Sequence, residues 1–93
     1  MIRVNGGCAE VSGPMTMPDA AALLAEGEAA IASSASAFDL AGVTDMDSSC
    51  LAVVFGWMRA ATAGGKSLSL LNPPQNLLSL AAVYGVADLL PPR

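Results

Sequence analysis

Two neighbouring hydroxyls, Ser48 and Ser49, follow two carboxylates, Asp45 and Asp47, and lead into an apolar run that opens at Cys50. Serine beside aspartate could act as a nucleophile, accept a phosphate, or cap a helix. A nucleophile needs a base to take its proton. The chain has no histidine, and its one lysine is Lys66. Two carboxylates in so short a loop serve a helix end more readily than acid–base catalysis. Gly64-Gly65-Lys66-Ser67 matches the end of a phosphate-binding loop, but the earlier glycine is missing and a strand, not a helix, should follow. Cys8 and Cys50 lie far apart and form no metal-ligand spacing. They are read as buried free thiols, with one disulfide as the alternative. The expectation is a non-enzyme without metal or cofactor.

The elements that must position these residues run from Phe38 to Trp57. Phe38 to Ala41 alternates apolar and polar, as a half-buried strand does. Gly42 to Met46 reads as a loop. Asp47 or Ser48 can cap the next helix, since either side chain can accept a bond from a free N–H of its first turn. Leu51, Val54, Phe55 and Met58 then recur at helical spacing. The serines stand at the positive end of that helix dipole, where a hydroxyl can hold a phosphate or a partner's polar group.

Composition limits the function classes. The chain has 93 residues and is read as one domain, residues 1–93. Hydrophobic residues make up 54% and charged residues 13%, against about 25% charged in a typical soluble domain. Apolar surface must therefore enter a membrane or meet protein. A spanning helix needs roughly 20 apolar residues; Cys50 to Met58 is closed by Arg59, and Leu68 to Leu90 is broken by Asn72-Pro73-Pro74 and Asp88. With no signal-peptide pattern at the start, the expectation is a cytoplasmic protein that does not insert into the membrane. The net charge is −4, and the four cations are scattered. Nucleic-acid binding has no electrostatic basis.

In chain order, Met1 to Val4 and Cys8 to Ser12 form a hairpin around Asn5-Gly6-Gly7, ended by Gly13-Pro14. Thr16 can cap a helix over Ala20 to Ala32, with Leu23, Leu24, Gly27, Ala30 and Ile31 roughly on one face. A third strand precedes the Ser48 loop. Gly64-Gly65 stops the central helix. Ser67 to Leu71 is a fourth strand, and a last helix begins at Asn72 or Pro73 and stops at Gly85. Pro91-Pro92-Arg93 is a tail. The fold class is α/β: a mixed four-stranded sheet in the order β-β-α-β-α-β-α. Right-handed crossovers put the helices mainly on one face.

The central helix carries more apolar surface than one face needs. Leu51, Val54, Phe55 and Met58 are assigned to the sheet. Ser49, Val53, Gly56, Trp57 and Ala60 then form a second, non-solvated face. Either the last helix covers it and Trp57 is core, or it is a partner surface. Trp enrichment at interfaces favours the partner; when free, the chain could self-associate through the same apolar face.

The run Asp47-Ser48-Ser49-Cys50-Leu51-Ala52 after the strand F-D-L-A-G-V resembles the STAS domain family. Gly65-Lys66-Ser67-Leu68, Asn72-Pro73-Pro74 and Leu77 to Val86 resemble its MlaB branch. That resemblance implies a small cytoplasmic subunit of an ABC-type phospholipid transporter that maintains outer-membrane lipid asymmetry. Its partner would be the MlaF-like ATPase subunit, holding it peripheral to the inner membrane. The implied contact is the Asp47–Ser49 loop, the outer face of the following helix and Tyr84. The antagonist branch implies a different role, an anti-sigma-factor antagonist phosphorylated at Ser48. A small apolar-ligand carrier is a third reading, for which the core leaves little room. Cys50 stands where the family usually has Gly, and its Cβ is expected to narrow a partner's approach.

Overall fold

A computed structural model describes residues 1–91; the tail expected at Pro92 and Arg93 lies outside them. Strand β1 (Ile2–Asn5) pairs antiparallel with β2 (Cys8–Met15). β3 (Ala37–Met46) and β4 (Ser69–Leu71) each add in parallel, giving the order β1-β2-β3-β4. Helices α1 (Ala20–Ala32), α2 (Ser49–Ala63) and α3 (Gln75–Val83) complete the expected order, with 3-10 turns at Met17–Asp19 and Ala87–Leu89. No helix among the described residues is long and apolar enough to cross a membrane.

Alternation along the strands gives the sheet two unlike faces. Ala9, Val11, Phe38, Leu40 and Leu70 are buried in one core with residues of all three helices. The other face carries an exposed Arg3–Glu10 pair. Asp39 accepts from the Ala41 amide and from Asn72 Nδ2. The free edge of β1 is blunted, because the Ile2 amide donates to Glu26 Oε1 of α1 at 3.0 Å.

Two strands outrun their sequence limits. β2 continues past Gly13-Pro14 to Met15, and β3 absorbs the expected Gly42–Met46 loop. They hold each other in register at Ser12↔Gly42, Gly13↔Val43 and Met15↔Met46. Pro14 is tolerated because the register shifts beside it, so no ladder bond needs its missing N–H. This extension carries β3 right up to the start of α2. β4 and α3 are shorter than expected, starting at Ser69 and Gln75.

All three helices end the same way. A residue in the left-handed region follows the last turn, and its amide and the next donate back to helix carbonyls. Gly65 and Gly85 fill that position after α2 and α3, and Ser34 (φ 81°) after α1. The Ala35 amide donates to Ala30 O at 3.0 Å. A Cβ in this region costs about 1–2 kcal/mol, partly offset by the entropy glycine adds to the unfolded chain. Ser34→Gly is therefore expected to stabilise the domain by about 0.5–1 kcal/mol, read as a higher urea midpoint.

Candidate functional site

The choice of helix cap shapes the surface at Ser48. Asp47 does the capping. Its Oδ1 accepts from the Ser49 amide at 2.9 Å and from the Ser49 hydroxyl. Its Oδ2 accepts from the Met17 amide at 2.9 Å, which ties the β2–α1 connection to the head of α2. These donors, the Ser49 hydroxyl foremost and then the Met17 amide, hold the Asp47 carboxyl below its ordinary value of 3.8. Ser48 makes no cap bond through its side chain and is exposed. Thr16, expected to cap α1, instead donates to Asp19 Oδ2 at 2.7 Å.

That depression carries a sign. A carboxyl with a lowered folded pKa contributes stability at neutral pH, and loses it as pH falls through the folded value. Asp47→Asn should therefore flatten the acid side of the stability profile below about pH 4, as measured by thermal melts across that range.

A second surface adjoins this cap. Met46 and Asp47 face Asn76, Ser79, Leu80 and Val83 of α3 across an open groove of about 290 Å³. The α3 residues recur at helical spacing, so they form one stripe. The other side of α3, through Leu77 and Ala81, is fully buried. Val83 and Tyr84 are exposed.

The expected partner face on α2 is corrected by the packing. Trp57 is 0% exposed and Val53 3%; Gly56 and Ser49 are also buried, and Ala60 is half-buried. The cover is α1, not α3 or another chain. The Trp57 indole donates from Nε1 to Leu23 O at 3.1 Å and stacks on Phe38, with centroids 4.4 Å apart and a 31° tilt. An alanine Cβ at Gly27 would lie 1.9 Å from that Nε1, and one at Gly56 would lie 2.4 Å from Leu24 Cδ1. Two glycines thus let α1 and α2 close on each other's large side chains. The signal was Gly27 itself, a glycine on the apolar stripe of an Ala-rich helix.

Turning α2 this way also moves the residues assigned to the sheet. Leu51 and Val54 are buried, but Phe55 and Met58 are only half-buried. They line an open groove of about 620 Å³ with Arg59, Thr62, Ala63 and Leu89. Cys50 points into the core at 0% exposure. Its Cβ therefore does not narrow a partner's approach, and burial, with Asp47 nearby, pushes its thiol up to about 11. Both cysteines are free.

A family profile described as "Mlab, STAS domain" matches residues 4–91. The chain belongs to the MlaB-like STAS domain family. Among solved structures, this STAS domain is similar to the anti-sigma factor antagonist SpoIIAA in its unphosphorylated form. The TM-score is 0.64 at 21% identity, over 86% of this chain and 78% of that one. A likeness at that identity bears on the fold. No curated protein sequence matches the chain. Of the sequence-derived site residues in this STAS domain, Asp47, Ser48 and Tyr84 are at least partly accessible. Ser49, Val53, Gly56 and Trp57 are internal.

Proposed function

We propose that this STAS domain is a non-catalytic subunit that docks on the ATPase of an ABC-type phospholipid transporter, and that it does so through its Ser48 end. The observation that carries this reading is the free Ser48. Because Asp47 satisfies the head of α2, the Ser48 side chain is left exposed without a capping role. Ser48 directly follows Asp47, which lines the Met46–Val83 groove. The MlaB-like family match over residues 4–91 supports the transporter context. The docking surface is narrower than the sequence suggests, since the tryptophan side of α2 is spent on α1.

Affinity purification from native membranes tests the reading; an ABC ATPase is the expected companion. Ser48→Trp should weaken that association by about tenfold or more, because an indole at a close contact holds the two surfaces apart. ATPase turnover of the complex should fall with it. Undiminished binding counts against the proposal.

The second reading is an antagonist of an anti-sigma factor, switched by phosphorylation of Ser48. The likeness to SpoIIAA and the exposed hydroxyl favour it. A phosphate there would add about −1.5 to −2 charge next to Asp45 and Asp47, which disfavours it. Phosphoserine at Ser48 after incubation with a cognate kinase and ATP, seen by mass spectrometry, would select this reading.

A further inference from the structure

The Ser48 end is both acidic and greasy, and the two properties together describe its partner. Three segments meet there. Met15 pairs with Met46, and the Met17 amide reaches Asp47. Asn76 to Val83 then borders the groove on Met46 and Asp47. These segments, with Asp45 just before them, hold Asp19, Asp45 and Asp47 and no lysine or arginine. The cations among the described residues lie elsewhere. Arg3 is paired with Glu10. Arg59 is on the C-terminal half of α2, and Lys66 donates to Ile31 O beyond that helix. Apolar side chains are bared at the same end: Val83 is 80% exposed and Met17 68%.

We propose that the partner surface received here is basic and apolar. An aliphatic side chain enters the groove between Met46 and the Leu80–Val83 side of α3, and lysine or arginine flanks it against Asp19, Asp45 and Asp47. This rests on the docking reading above and specifies the chemistry of its contact. Charge complementarity names the occupant. A carboxylate-bearing partner would meet three like charges within the short range that salt leaves unscreened. A purely apolar one would strand them without counter-charge. The Asp47 carboxylate cannot be neutralised cheaply, because its three donors favour the ionised form.

The test uses the full chain and the ATPase subunit that co-purifies with it, with affinity measured by calorimetry. Asp45→Lys and Val83→Asp should each weaken the complex by about tenfold. Both positions are exposed, so circular dichroism should show an unchanged fold. Glu28→Lys makes the same charge change on exposed α1 and should leave affinity unaltered. Raising salt from about 50 to about 300 mM should weaken the wild-type complex and spare Asp45→Lys. A complex that forms but ignores Asp45→Lys, or loses as much with Glu28→Lys, overturns the proposed polarity and leaves the docking reading standing. If no ATPase binds the wild-type chain, both fall.

Discussion

Trp57→Ala is expected to remove about half of the domain's stability rather than to bare a docking surface. The indole is fully buried, between Phe38 below and Gly27 across. Truncating a buried Trp costs about 3–5 kcal/mol, from lost transfer energy and from the cavity left behind. A domain of this size holds roughly 5–10 kcal/mol in total. Leu23 O also loses the indole, a second donor beyond its partner in the α1 ladder, which adds up to about 1 kcal/mol. Urea unfolding should show the midpoint collapse with little change in slope. A folded Trp57→Ala variant of wild-type stability that has merely lost its partner would return the tryptophan to the interface.

Gly27→Ala should be destabilising by about 2 kcal/mol, opposite in sign to helix propensity. In an exposed helix the same change gains about 1 kcal/mol. Here the new Cβ would sit 1.9 Å from Trp57 Nε1, and 2.5 Å from two more indole atoms. An indole is rigid and wedged against Phe38, so α1 must lift from α2. The cost should depend on the tryptophan. In a Trp57→Phe background, where Nε1 is gone, Gly27→Ala should lose at least about 1 kcal/mol of its penalty in a double-mutant cycle. Additive effects would mean that the close approach does not govern this glycine. Gly56→Ala should be milder, because it meets the flexible tip of Leu24.

The two positions explain where sequence reasoning succeeded and where it slipped. Period-two alternation in Ala9–Val11 and Phe38–Leu40, and the glycines after α2 and α3, are local signals. Each is dictated by backbone geometry within a few residues, and the element order followed from them. Right-handed crossovers then required α1 and α2 to share a face. That shared face does not by itself say what covers Trp57. An apolar stripe tells that a side chain is buried, not which neighbour buries it. The rotation of α2 depends on how Gly27 and Gly56 let two helices approach, which is a distance across the fold. Phe55 and Met58 were misplaced for the same reason.

The site divides along the same line. The serine-tipped helix start, its carboxylates and the absence of a catalytic base are readable in Asp45 to Cys50, because capping chemistry acts over three or four residues. Whether Asp47 or Ser48 would cap was open at that level. Long-range contact settled it: the Met17 amide lies thirty residues away in the chain, and it holds the Asp47 carboxylate over the helix end. That single cross-connection frees Ser48 for the surface. Periodicity cannot report such a contact, since it arises only when β2 and β3 run side by side to Met15 and Met46.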